Sequence, residues 1–99
     1  MTINKIKNGN KITIAVAGRI DTNTAPQLEK AVDEVINDAK ILIFDFKELA
    51  YISSVGLRVL LSAQKTMNKQ GSMKVINVNE SIMEIMEITG FTDILTIKK

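Results

Sequence analysis

The apolar run at residues 41–46 most constrains how this 99-residue chain can fold. It holds no polar residue before Asp45, and it lies between two segments with helical patterns. A short run of this kind is typical of a strand that is covered on both faces. When a long helix joins two such strands, the strands pair in parallel through a right-handed crossover. The run therefore predicts an α/β fold.

The predicted elements follow one another in the order ββαβαβαβ. The predicted strands are 2–7, 11–17, 41–46, 73–78 and 94–97, and the predicted helices are 24–39, 54–70 and 81–89. Asn8-Gly9-Asn10 lies between the first two strands, and its Asn-Gly pair is a strong hairpin signal. We therefore expect one domain over residues 1–99, with a mixed sheet that has an antiparallel N-terminal hairpin and carries packed helices.

Two capping-box patterns indicate where helices begin. Thr24 with Gln27 matches the pattern before the first helix, and Ser81 with Glu84 matches it before the last. In this motif the first side chain accepts a hydrogen bond from the backbone three residues later. We therefore expect Thr24 and Ser81 to cap these helices.

Composition excludes several classes of function. The chain has no histidine and no cysteine, which excludes Ser-His-Asp and Cys-His catalysis, ordinary zinc sites and disulfides. A net charge of +2 and four aromatic residues do not favour nucleic-acid binding. No apolar run approaches the length of a membrane span, and no signal-peptide core follows Met1. We expect a cytoplasmic monomer that binds no cofactor, metal, nucleic acid or membrane.

Two adjacent serines, Ser53 and Ser54, stand where a connection enters the middle helix. Serine is a preferred N-cap residue, so a purely structural role is one interpretation. The other is regulatory phosphorylation, because the start of a helix has unpaired N–H groups and tolerates an anion. A phosphate would add a charge of about −1.5 to −2 and would change any docked surface.

The middle helix, 54–70, is apolar over more than half of its circumference. One face is predicted to hold Ser54, Arg58, Ser62, Lys65 and Lys69. One interpretation is that the helix is simply buried on one side and solvated on the other. Alternatively, Leu57 or Leu61 is partly exposed and forms an apolar partner surface beside Ser54, with Arg58 and Lys65 at its rim.

Three segments carry a resemblance to a known family. They are Gly18-Arg19-Ile20-Asp21, Ile43-Phe44-Asp45-Phe46 and the stretch from Tyr51 to Leu61. Together they resemble the STAS domain family, and more closely the bacterial anti-sigma factor antagonists within it. The resemblance covers essentially the whole chain. It implies a partner-switching cycle in which the unphosphorylated antagonist binds an anti-sigma factor and thereby frees a sigma factor.

The resemblance also implies the partners and the site. The anti-sigma factor would be a serine kinase of the GHKL ATPase type, and a PP2C-type phosphatase would reset the antagonist. Alignment on Gly56 and Leu57 makes Ser54 the phosphoacceptor, with Ser53 as second choice because many antagonists carry Asp at that position. The partner-binding residues that it implies are Asp21, Asp45, Ser53, Val55, Gly56, Leu57, Arg58 and Leu61.

Two alternatives remain beside this hypothesis. The chain could be a non-switching STAS subunit of a transport or signalling complex, in which Ser54 has no regulatory role. It could also be a phosphotransfer enzyme or receiver that uses Asp45, although no second acidic cluster for Mg²⁺ is evident. We expect a regulatory binding protein and not an enzyme.

Overall fold

The N-terminal hairpin of this computed structural model, which describes all 99 residues, joins β1 (Thr2–Asn8) to β2 (Lys11–Ile20). The two strands pair antiparallel, and Asn8 lies opposite Lys11. The turn therefore consists of Gly9-Asn10 and not of Asn8-Gly9. Gly9 adopts a φ of +66°, a conformation that glycine takes at little steric cost. The hairpin forms as expected, with its turn displaced by one residue.

The remaining strands pair in parallel. They are β3 (Ile41–Asp45), β4 (Leu49–Ile52) and β5 (Ser72–Ile76), and the helices are α1 (Ala25–Val35), α2 (Ser54–Gln70) and α3 (Glu80–Ile88). The main sheet has the order β1-β2-β3-β5, and β4 pairs with the far half of β2. The mixed sheet and its antiparallel start are confirmed. No helix combines the length and the apolar character needed to cross a bilayer.

The hydrophobic core lies mainly on one side of β3. Leu42 and Phe44 are fully buried and belong to a cluster of 25 buried residues that includes side chains of all three helices. Ile43 is buried outside that cluster, and Ile41 is 38% exposed. The expectation that both faces of this strand are covered is thus correct for one face and only partly correct for the other.

The predicted final strand at 94–97 is reduced to a single parallel bridge between Ile97 and Val75. The Val75 N–H donates to the Thr96 carbonyl at 2.9 Å, and the Lys98 N–H donates to the Val75 carbonyl at 2.8 Å. A 3-10 helix at Phe91–Asp93 precedes this segment. Because Ile94 still has helical dihedral angles, too few residues remain extended to form a full strand.

Neither capping box forms. The Thr24 hydroxyl makes no cap hydrogen bond to α1 and instead accepts one from the Asp21 N–H at 2.8 Å. Helix α3 begins one residue before Ser81 and is capped by Asn79, whose side-chain oxygen accepts from the Ile82 N–H at 2.9 Å. The Asn79 amide also donates to the Leu49 carbonyl at 2.9 Å, which ties α3 to β4.

Replacing Asn79 with Ala is expected to destabilise the protein by about 1–2 kcal/mol, because the cap and the bond to Leu49 are both lost. The matched control is Ser81→Ala, which removes the residue of the sequence pattern but no cap bond. Urea unfolding of both variants measures the difference. Equal midpoints for the two variants would contradict the observed cap.

Candidate functional site

Strand β4 fixes the position of the serine segment. It pairs with β2 through Gly18–Leu49 and Arg19–Tyr51, so Ala50 is an extra residue in a bulge. The Ser53 N–H then donates to the Ile20 carbonyl at 2.8 Å. The sequence did not reveal this strand, because the bulge breaks period-two alternation and buries Leu49 and Ile52, which are three residues apart. As a result, the start of α2 lies beside the end of β2.

The two serines have different environments. Ser53 is the N-cap of α2, and its hydroxyl accepts a hydrogen bond from the Gly56 N–H at 3.3 Å. Ser54 is the first residue of the helix, is exposed and takes no part in the cap. The structural role of a serine therefore falls on Ser53. The Ser54 hydroxyl is left accessible at the positive end of a 17-residue helix.

Asp21 lies in the loop between β2 and α1. Its carboxylate accepts hydrogen bonds from the N–H groups of Asn23 and Thr24, each at 3.0 Å. The bond from the Thr24 N–H is the largest cause that lowers the pKa of Asp21, and the Thr24 hydroxyl, the Asn23 N–H and the charge of Arg19 lower it further. Asp21 is therefore ionised at neutral pH and orders its own loop.

Because the pKa of Asp21 is lower in the folded state than in the unfolded state, its ionisation stabilises the fold. This contribution is complete above the unfolded pKa, which is about 3.9, and is lost as the pH falls through the folded value. We expect Asp21→Asn to reduce the acid sensitivity of the melting temperature between about pH 5 and pH 2. Melting curves across this range measure it. An unchanged pH dependence would contradict the assignment.

Arg19 and Tyr51 form a pair that sequence reasoning missed. The Arg19 guanidinium carbon lies 4.4 Å from the centre of the Tyr51 ring, a cation–π distance. Arg19 is exposed, and Tyr51 is 36% exposed. Arg19 lies two positions before Asp21 in the sequence, and Tyr51 lies three positions before Ser54. The β2–β4 pairing, which the sequence did not reveal, is what brings them together.

Helix α2 shows the expected faces with one correction. The exposed face consists of Ser54, Arg58, Ser62, Lys65 and Lys69. Leu61 and Val55 are half-buried, so an apolar surface does border this face. Leu57 is only 3% exposed, and Gly56 is buried against Ile20 and Ile52. Gly56 and Leu57 can therefore act at the surface only by supporting it from beneath.

The structure does not bring Asp45 to the serine site. Asp45 lies opposite Ala15 of β2, whereas Ile52 lies opposite Ile20. Five residues of strand separate these positions, or roughly 17 Å. The Asp45 carboxylate instead accepts hydrogen bonds from the Lys47 N–H and the Asn77 side-chain amide, each at 3.0 Å. The resemblance groups Asp45 with Asp21 as partner-binding residues, but the structure separates them, because β2 continues beyond the end of β3 and pairs there with β4.

Comparison with known proteins places the chain in a family. The STAS domain profile matches residues 2–99. The chain belongs to the STAS domain family. An anti-sigma-B factor antagonist from Bacillus subtilis is 34% identical to this STAS domain, over 92% of this chain and 84% of the relative. The sequence resemblance to the family is thus confirmed.

Solved structures confirm the fold of this STAS domain. An anti-sigma factor antagonist from Mycobacterium paratuberculosis matches with a TM-score of 0.90 and 24% identity, covering 98% of this chain and 84% of the other. The Bacillus cell fate determinant SpoIIAA in its phosphorylated form matches with a TM-score of 0.77 and 14% identity, covering 99% and 92%. At these identities the likeness concerns the fold.

Proposed function

We propose that this chain is an anti-sigma factor antagonist that is controlled by phosphorylation of Ser54. In its unphosphorylated form it binds an anti-sigma factor and so releases a sigma factor in the cytoplasm. The anti-sigma factor is also a serine kinase of the GHKL ATPase type. The phosphorylated antagonist that it produces no longer binds the anti-sigma factor. A PP2C-type phosphatase returns the antagonist to its binding form. The chain itself takes part as a regulatory binding protein and performs no catalysis.

The difference between the two serines carries this proposal. The Ser53 hydroxyl is engaged by the Gly56 N–H, whereas Ser54 is exposed on the first turn of α2. A kinase can reach Ser54 without breaking the cap. The new phosphate would lie near free N–H groups and the positive end of the helix, so the domain stays folded. The added charge then acts on the docked partner.

The proposed partner surface surrounds Ser54. Its exposed or half-buried members are Asp21, Ser53, Val55, Arg58 and Leu61, to which the structure adds Arg19 and Tyr51. Ionised Asp21 offers an acceptor to a cationic group of the partner. Gly56 and Leu57 hold this surface in place from below. Asp45 is too far along β2 to join it and is assigned a structural role.

The names of similar proteins agree with this proposal. The Bacillus subtilis relative is named for antagonism of an anti-sigma factor. SpoIIAA has been solved in both unphosphorylated and phosphorylated forms, and both share this fold. A fold that accommodates phosphate in another member supports a switch here that leaves the domain intact.

Mapping phosphate on the protein from its native cells tests the proposal. We expect a single acid-stable phosphate on Ser54 that disappears in Ser54→Ala. Phosphate on Ser53 would keep the switch but contradict the assigned residue. Acid-labile phosphate would indicate Asp45 and a different mechanism. Absence of phosphate under several growth conditions would favour a permanent STAS subunit over a switch.

A further inference from the structure

The first turn of α2 has two unused amide donors beside the Ser54 side chain. The Gly56 N–H donates to the Ser53 hydroxyl at 3.3 Å, and the Leu57 N–H donates to the Ser53 carbonyl at 3.0 Å. The N–H groups of Ser54 and Val55 make no hydrogen bond within the chain. Free amides at the start of a helix favour a negative charge. A charged group on Ser54 is therefore tolerated, and its remaining charge can be met by a cationic side chain.

Arg58 is the one cationic side chain of α2 that lies within reach of Ser54. Residues four apart on a helix are neighbours, with Cβ atoms about 5–6 Å from each other. Side chains lean toward the N-terminus of their helix, which directs Arg58 toward the turn that holds Ser54. The next cation on this face, Lys65, lies about 16 Å from Ser54 along the helix axis. Within α2, only Arg58 can neutralise charge on Ser54.

The Arg58 guanidinium has no charge partner in the chain. It is exposed, and both ion pairs of the chain join lysines of β1 to acids within residues 34–38. Glu29 and Asp33 line the same cavity as Arg58, but neither forms an ion pair with it. No existing pair has to break before Arg58 contacts an anion on Ser54.

The charged groups that follow β2 do not replace Arg58. Arg19 and Asp21 flank Ile20, whose carbonyl accepts a hydrogen bond from the Ser53 N–H at 2.8 Å. The Arg19 guanidinium stacks on the Tyr51 ring, and its charge attracts the Asp21 carboxylate. Because these two charges are opposite, they largely cancel at the serine site. Arg58 is left as the uncompensated cation.

We propose that Arg58 pairs with the phosphate of phosphorylated Ser54 and is thereby withdrawn from the partner surface. The inference rests on the proposed function and names the residue through which phosphorylation acts within the chain. A phosphate dianion that is paired with one guanidinium keeps a net negative charge. Phosphorylation thus changes the partner surface twice, since it adds negative charge and also removes a cationic donor that the unphosphorylated form offers.

Phosphoserine that is installed at position 54 during translation tests the pairing without the kinase. Phosphorus NMR across a pH series at low salt measures the second pKa of the phosphate, which a neighbouring cation lowers. Arg58→Gln should raise this pKa by about 0.3 unit or more, the scale of an exposed pair four residues apart. Arg58→Lys keeps the charge and should restore most of the lowering. Lys65→Gln makes the same charge change beyond reach and should leave the pKa unaltered.

A second measurement observes the arginine itself. In the isotope-labelled chain, the side-chain Nε–H signal of Arg58 should shift between the unphosphorylated and phosphorylated forms, while that of Arg19 should not. Melting curves should show that every variant is folded.

The titration separates this inference from the proposed function. Equal phosphate pKa values with and without Arg58→Gln, or the same rise in Lys65→Gln, would overturn the inference. A rise found only in Arg19→Gln would assign the phosphate to that arginine and would overturn it too. None of these outcomes touches the proposed function, because the kinase does not supply this phosphate. A kinase that leaves wild-type Ser54 unmodified would instead contradict the proposed function.

Discussion

Replacing Ser54 with Asp is expected to weaken binding of the anti-sigma factor by about 100-fold, or about 2.8 kcal/mol. The substitution places a permanent negative charge on the exposed first turn of α2, in the centre of the proposed partner surface. Like charges or unpaired charges in an interface cost several kcal/mol. Stability should change by less than about 1 kcal/mol, because the helix dipole favours an acid at this position and the Ser53 cap remains. Calorimetric titration and thermal melting measure the two effects.

Two controls separate charge from substitution. Ser54→Ala removes the hydroxyl without adding charge and should bind as the wild type does while resisting the kinase. Ser81→Asp adds the same charge to an exposed serine in the first turn of α3, a residue that is not part of the proposed surface, and should also bind normally. Unchanged affinity of Ser54→Asp would remove the basis for the switch.

Replacing Gly56 with Val is expected to destabilise the protein by about 3 kcal/mol or more and to weaken partner binding. A Cβ atom at Gly56 would lie 2.5 Å from Cγ2 of Ile20 and 2.8 Å from Cγ1 of Ile52. Both isoleucines are fully buried in strands, so they cannot move aside without disturbing the core. Helix α2 must then shift away from β2 and β4 and carry Ser54 with it. Urea unfolding measures the loss.

A graded series keeps this prediction testable if the valine variant does not fold. Gly56→Ala introduces the same Cβ clash but gains about 1 kcal/mol of helix propensity, so its cost should be about 1–2 kcal/mol. Ser62→Val places the larger side chain on the exposed face of the same helix and should cost less than about 1 kcal/mol. If Gly56→Ala is as stable as the wild type, close packing of α2 against the sheet is not what requires glycine.

The sequence determined the elements whose signals are local. The apolar run at 41–46 became a strand because it is short and uninterrupted, and the 54–70 pattern became α2 because its apolar spacing is helical. The serine pair is visible at once beside that pattern. Helix-start signals were less reliable. The Ser81 pattern predicted the wrong cap, because Asn79 caps α3 and also donates a hydrogen bond to Leu49. Local patterns cannot include such distant partners.

Only the tertiary structure decided which residues share a site. Strand β4 has no period-two pattern because of its bulge, and yet its pairing with β2 brings Ser53 to Ile20 and Tyr51 to Arg19. The register of β3 against β2 places Asp45 opposite Ala15 and so leaves it far from Asp21, although each acid follows a strand-like segment. The structure also decides which serine caps α2 and which is exposed, because this depends on the residue at which the helix begins. The sequence specifies the side-chain types and their spacing along the chain. The distances between segments are set by strand register, which depends on long-range packing.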